Sequence, residues 1–349
     1  MPEGHTVHRL ARTFDALFAE QVLRVSSPQG RFADGAGVLD GRRLVASEAW
    51  GKQLFLGFAP AERPADLRSD TLWLRTHLGL YGAWTFAGAP DAPEVAHAIG
   101  APRRRIGERD SVPASAPPSS DVSDPQVRPG TSTSDTWEVP EPRGQVRVRL
   151  LGTHAVADLT GPTACEVITA DEKEAVEARL GPDPIRDDGD PDAFVAAVGR
   201  SRVTIGQQLM DQAVVAGVGN IYRAEVLFRA GVDPLRPGRD VPAATVRAIW
   251  DDLVVLMRDG ADHGAIVTTR PADRGAGHVA DGGAEPVPAA DRGRGRTRQN
   301  TDGSPGAVPS DQAFYVYHRD GLPCRVCGSP VLVKELAGRN LFWCGVCQT

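Results

Sequence analysis

The chain has 349 residues, 41% of them hydrophobic, enough for two or three domains with real cores. No apolar run reaches the roughly 18–20 residues that span a bilayer, and the opening MPEGHTVHRL lacks the apolar stretch of a secretory signal, so a cytoplasmic protein is expected. The formal net charge of −6 argues at first sight against a nucleic-acid partner, but residues 87–142 hold five Arg against nine Asp and Glu and supply −4 of it, which leaves room for a local basic face.

In chain order, residues 5–20 predict a helix, because Val7, Leu10, Ala11, Phe14, Leu17 and Phe18 recur at helical spacing. Short apolar or alternating runs follow at Gln21–Ser26, Arg43–Ala46, Gln53–Phe58, Thr71–His77, Gly82–Phe86 and Gln145–Leu151. Glycines and polar residues punctuate them, as in an antiparallel β-rich domain, here residues 2–165. Residues 88–142 interrupt that domain with Pro, Ser, Ala and Asp, a composition that buries too little apolar surface to order itself. Residues 170–262 are predicted helical, with segments Glu172–Leu180, Asp192–Val198, Ile205–Asp211, Asn220–Ala230 and Ala243–Asp259 ended by Gly-Pro, Asp-Pro and Arg-Pro. Residues 270–310 are again poor in apolar side chains and include the basic run GRGRTRQN, predicting a disordered linker. A cysteine-rich module, residues 311–349, closes the chain.

Four of the five cysteines lie in the last 26 residues, as Cys324-x2-Cys327 and Cys344-x2-Cys347. Two such turns each present a pair of thiolates and together complete a tetrahedral site suited to one structural Zn²⁺. A module this small leans on its metal to fold. Val331–Val333 and Leu341–Trp343 predict a hairpin with a Gly338-Arg339-Asn340 tip. Between two helices, Val215–Tyr222 reads VAGVGNIY; two glycines and a helix N-terminus make a turn whose donors favour an anion such as a DNA phosphate, or simply a close-packed helix connection. At the other end, Pro2 becomes the terminal residue once Met1 is removed. Its secondary amine can then act as a nucleophile toward a sugar C1′, with Glu3 beside it to move protons. Taken alone, the Met-Pro opening carries little weight.

Together these segments resemble the family of formamidopyrimidine-DNA glycosylase and endonuclease VIII, and most of all the actinobacterial endonuclease VIII-like enzymes. MPEGHTVHRLAR is similar to that family's opening, AWGKQLFL to its β-turn lysine segment, LMDQAVVAGVGNIYRAEVLFRAGVDP to its helix–two-turn–helix, and FYVYHRDGLPCRVCGSPV with GRNLFWCGVCQT to its zinc finger. The resemblance implies an α+β multidomain fold: an N-terminal helix and antiparallel β-sandwich, a helix–two-turn–helix domain and a C-terminal zinc ribbon. It implies a bifunctional glycosylase and lyase acting as a monomer on damaged double-stranded DNA, with single-stranded DNA as the alternative. Pro2, Glu3 and Lys52 fall on catalytic positions, and Asn220, Glu225 and Arg339 on DNA-binding ones.

In THLGLYG, Leu80 falls on an apolar residue that fills the gap left by a flipped nucleotide, and Tyr81 resembles the endonuclease VIII branch, although Gly79 departs from that branch's usual Gln. Asp158–Pro162 stands where the formamidopyrimidine branch carries an arginine pair and Phe. Their absence favours oxidised pyrimidines over 8-oxoguanine or formamidopyrimidine as substrates. Two other readings remain at this point: a non-catalytic zinc-ribbon DNA-binding protein, and an N-terminal-proline tautomerase, which has no use for the ribbon.

Overall fold

The computed structural model describes residues 2–62, 66–93, 95–100, 137–274, 308–309 and 311–349. Residues 101–136 and 275–307, which hold most of the two Pro- and Gly-rich stretches, lie outside the described residues. The first half runs α1 (Gly4–Phe18), β1 (Arg24–Ser26), α2 (Ala33–Leu39), β2 (Arg43–Trp50), β3 (Gln53–Ala59), β4 (Leu72–His77), β5 (Ala83–Gly88), β6 (Ala98–Gly100), β7 (Val146–Leu151), β8 (Ala155–Thr160) and β9 (Ala164–Ile168). The second half runs α3 (Ala170–Glu177), α4 (Pro191–Gly199), α5 (Ile205–Gln208), α6 (Asn220–Arg229), α7 (Ala243–His263), β10 (Leu332–Leu336) and β11 (Arg339–Trp343). Among the described residues no helix is long and apolar enough to cross a membrane.

The strands of the first half make two antiparallel sheets, β2-β3-β4-β9 and β1-β7-β8-β5-β6. The apolar stripe of α1 packs into their shared core, where Phe14 meets Trp84 edge-on at 4.8 Å and Phe86 at 5.4 Å. The outer face of the four-stranded sheet carries a second apolar cluster, Phe55, Trp73 and Ile168 packed with Val176 of α3. Lys173 of α3 covers it, its ammonium 4.6 Å from the Trp73 ring centre and bonded to Glu48 and Glu177. The mixed α+β architecture expected from the sequence is the one observed.

The differences are local. β6, inside the stretch expected to be disordered, pairs with Ala83–Thr85 of β5. α2, β8 and β9 carry no clear period; β8 (AVADLT) is buried on both faces for most of its length, which erases alternation. α3 begins two residues before the predicted start because Thr169 and Glu172 close a capping box. The ribbon's hairpin turn is Ala337–Gly338, at φ 51° and 72°, so Arg339 opens a strand and does not sit at the tip. Nor does the ribbon pack by itself: Tyr315, Val316, Tyr317, Val331 and Phe342 share one core with α4, α6 and α7.

Candidate functional site

The head of α1 meets the head of α6. Pro2 is buried there, and Glu3 is the N-cap of α1 with an extended backbone that turns its side chain away from its own helix. The Glu3 carboxylate instead accepts hydrogen bonds from three backbone N–H groups at the start of α6: Ile221 at 2.8 Å, Gly219 at 3.0 Å and Tyr222 at 3.4 Å. A β-carbon on Gly219 would lie 2.5 Å from the carboxyl carbon, so only glycine admits this approach. The turn's donors thus meet an acidic group, as its glycines predict, but that group is the Glu3 carboxyl of the same chain. This corrects the expectation of a DNA phosphate at those donors. Full burial pushes the Glu3 carboxyl above its ordinary range, against the lowering effects of Lys52 and of the Ile221 and Tyr222 amides.

Lys52 arrives from the tight turn between β2 and β3, where Trp50 and Gln53 pair. Its ammonium donates to the Val218 carbonyl at 2.7 Å, which places it one residue from the Glu3 nest. Burial pushes Lys52 down to about 8; Glu3 opposes that and Arg339 adds to it. The turn is pinned by Asp183, whose fully buried carboxylate accepts from Gly51 N at 2.7 Å, His8 Nε2 at 2.7 Å and Ile185 N at 2.9 Å. Gln212 shapes the other side: its carbonyl accepts from Gly217 N at 3.0 Å and its amide donates to Val218 O at 3.1 Å. Gly4 N closes the junction on Gly217 O at 2.8 Å.

Asn220 begins α6 and is 6% exposed. Its amide donates to the Asn340 carbonyl at 2.9 Å, and its carbonyl accepts from Arg223, which also donates to Asn340 O at 3.1 Å. The pair clamps β11 and so holds Arg339 over the cleft, near enough to bear electrostatically on both Lys52 and Arg223. Burial pushes the Arg223 guanidinium down to about 10.

Glu225 does not belong to a DNA surface. It is 0% exposed, and its carboxylate takes the backbone N–H groups of Tyr315, Val316 and Tyr317, each at 2.8 Å, together with the Thr268 hydroxyl. It fastens α6 to the chain entering the ribbon. The expectation of a DNA-contacting acid fails because the face of α6 that carries it is turned inward.

Leu80 and Tyr81 lie in the turn joining β4 to β5, Leu80 half-buried and Tyr81 52% exposed. The register Gln53–His77 puts this turn at the same end of the sandwich as Lys52. His77 is bonded through Nδ1 to Thr163 at 2.7 Å; burial lowers its pKa, and Lys52 and Arg75 lower it further. In the ribbon the four Sγ atoms of Cys324, Cys327, Cys344 and Cys347 lie within 4.8 Å of one another. Four thiolates about 2.3 Å from a tetrahedral ion are under 4 Å apart, so the set fits Zn²⁺.

The cleft therefore unites Pro2, a buried carboxyl, a perturbed ammonium and a ribbon arginine from three distant stretches. Asp183, His8, Gln212 and Arg223 support it and escape sequence reading: Asp183, His8 and Arg223 act through partners far along the chain, and Gln212 through a turn whose shape only the fold sets. Only GPDP around Asp183 hints at a fixed turn.

Comparison with known proteins agrees with this fold. Residues 1–104 match the formamidopyrimidine-DNA glycosylase N-terminal domain, 180–271 the formamidopyrimidine-DNA glycosylase H2TH domain, and 321–349 the zinc finger found in FPG and IleRS. The chain is 39% identical over 349 residues to Endonuclease 8 1 of Mycobacterium tuberculosis, covering all of both chains. It is 30% identical over 200 residues to formamidopyrimidine-DNA glycosylase of Streptococcus pneumoniae, covering 56% of this chain and 62% of that one. In fold it is similar to the wild-type Lactococcus lactis FPG bound to DNA containing an oxidized pyrimidine, with a TM-score of 0.61, 18% identity and 99% of each chain covered.

Proposed function

The chain belongs to the formamidopyrimidine-DNA glycosylase and endonuclease VIII family of zinc-finger DNA-repair glycosylases with AP lyase activity, and from that premise we propose that it excises oxidised pyrimidines through Pro2. The observation that carries this reading is the buried Glu3 carboxyl, raised above its ordinary range at the residue next to Pro2. A carboxyl so placed stays protonated at higher pH than a free one and can deliver that proton to a sugar ring oxygen.

Damaged double-stranded DNA is bound by a monomer in the cytoplasm, and the lesion nucleotide is extruded. Glu3 gives its proton to the ring oxygen as the C1′–O bond opens. The lone pair of the Pro2 nitrogen, free once Met1 is gone, forms a bond to C1′; the base departs with the electrons of its bond to C1′ and takes up the proton released from the nitrogen, whose N–H pair becomes the second bond to C1′. The nitrogen and C1′ are then joined as an iminium. Loss of a C2′ proton expels the 3′ phosphate by β-elimination, and δ-elimination expels the 5′ phosphate. A secondary amine is suited to this step because it forms a cationic iminium without losing a second proton.

Lys52, Asn220 and Arg339 hold backbone phosphates around the flipped nucleotide. Lys52 exchanges Val218 O for a phosphate, and Asn220 uses the amide hydrogen that Asn340 does not take. Leu80 fills the vacated stack and Tyr81 lies against it. One zinc, held by the four cysteines, ties the two knuckles together and keeps β11 in register; it takes no part in bond making.

Pyrimidine lesions are favoured because Asp158–Pro162 carries no arginine, and Asp158 itself is engaged by Arg149 at 2.7 and 2.8 Å. Borohydride trapping tests the whole reading. The wild type gives a covalent adduct with a thymine-glycol duplex, and Pro2→Gly and Glu3→Gln lose it. Preferential trapping on 8-oxoguanine opposite cytosine would move the chain to the other branch, and no adduct on any lesion would leave a DNA-binding protein without lyase chemistry.

A further inference from the structure

Beyond the cleft, the same end of the sandwich carries a second cluster of cations. The register fixes that end. β5 starts and β8 ends there as Ala83 pairs with Thr160, and β7 starts there as Val146 pairs with Thr160. The β7–β8 register shifts between Val146 and Val148, so Arg147 is the bulged residue. Bulges re-aim a side chain, and this one turns Arg147 toward the rim. The loop after β1 closes over it: Ser27 Oγ donates to Arg147 O at 2.8 Å, and Gln29 Nε2 donates to Gly144 O at 3.0 Å. Gln29, Arg31, Gln145, Arg147 and Gly161 thereby line a notch of about 40 Å³.

The notch is continuous with the proposed wedge. A β-carbon on Gly161 would sit 2.9 Å from the Tyr81 carbonyl oxygen, so the β8–β9 and β4–β5 turns touch. Strand order puts these two turns between Lys52, on the β2–β3 turn, and Arg147, on β7. Arg149, two residues along the same strand, is committed to Asp158, whereas no ion pair among the described residues engages Arg31 or Arg147. The two guanidiniums, neither held in an ion pair among the described residues, offer donors suited to an anion with several acceptor oxygens.

We propose that Arg31 and Arg147 bind backbone phosphates of the DNA strand opposite the damaged nucleotide. This deepens the family reading and rests on it: Lys52 and Arg339 face the damaged strand, Leu80 and Tyr81 enter the helix between strands, and the notch lies beyond them where the second backbone passes. It also reconciles a net charge of −6 with DNA binding, since cations line both flanks of one rim.

The test is binding of a duplex with a non-cleavable tetrahydrofuran abasic-site analogue, measured by fluorescence anisotropy across salt concentrations. Each lost phosphate contact lowers the slope of log K against log salt by about 0.9. Arg31→Ala with Arg147→Ala should therefore flatten it by about 1.8, so that between 50 and 200 mM salt the wild type loses about tenfold more affinity than the double variant. Neutral methylphosphonate linkages in the opposite strand should erase the difference between the two proteins, and the same linkages in the lesion strand should leave it intact. An unchanged slope, or a difference erased by the lesion-strand linkages, overturns the inference. Failure of the wild type to trap with borohydride would sink the glycosylase reading itself, a separate result from an unchanged slope in a wild type that traps.

Discussion

Replacing Glu225 by Ala removes the acceptor shared by the backbone N–H groups of Tyr315, Val316 and Tyr317, all at 2.8 Å in a site with no solvent exposure. The Thr268 hydroxyl keeps the Ala313 carbonyl as an acceptor, so three donors are orphaned. Each buried, unsatisfied donor costs about 1–3 kcal/mol. Relief of a desolvated charge offsets part of that, leaving about 3–5 kcal/mol, a large share of an ordinary domain's stability. Glu225→Gln keeps one acceptor oxygen for two of the donors but aims an amide at the third, so about 1–3 kcal/mol is expected. Urea unfolding of the zinc-loaded protein, followed by circular dichroism, measures both losses. Stability within about 0.5 kcal/mol of wild type, with an altered salt slope for DNA binding, would refute the reasoning and return Glu225 to the DNA surface.

Gly219→Ala should displace the Glu3 carboxyl, since the new carbon would fall 2.5 Å from its carboxyl carbon; base excision should drop at least about tenfold, equivalent to about 1.4 kcal/mol, and a single-turnover assay at wild-type rate would contradict the nest. Lys52, pushed down to about 8, loses its charge as pH rises through that value while a free lysine keeps it to about 10.4. Affinity for the abasic-analogue duplex should thus fall between pH 7 and 9.5 in the wild type and not in Lys52→Arg, and equal profiles would remove Lys52 from the phosphate site. The same shift has the opposite sign for folding: the depressed pKa is a penalty below about 8 that is relieved as pH rises toward the unfolded value. Elemental analysis should find one zinc per chain, and stripping it with a chelator should lower both the melting temperature and DNA affinity, because the ribbon shares its core with α6 and α7.

Much of the architecture could be read before any coordinates. Val7, Leu10, Phe14 and Phe18 announce α1 because a helix repeats every 3.6 residues, and all four are buried as that period requires. β8 could not be read this way, since burial on both faces leaves no alternation. Nor could the supports of the cleft. Asp183 is one acid among many in the sequence, and its value lies in His8 and Gly51, which the fold brings to it from far upstream.

By itself the sequence determined the chemistry that short spacing encodes. Two Cys-x2-Cys pairs set a metal site, the Pro2-Glu3 pair set a ring nitrogen beside a carboxyl, and Gly-x-Gly-Asn set a turn rich in backbone donors, because each depends on residues within a few bonds of one another. Only the tertiary structure decided what each one meets. It put Glu3, not a phosphate, on the α6 amides, turned Glu225 inward to the ribbon, and lent the Asn220 amide to Asn340. Those outcomes turn on which groups are desolvated together, and desolvation is a property of the packed chain.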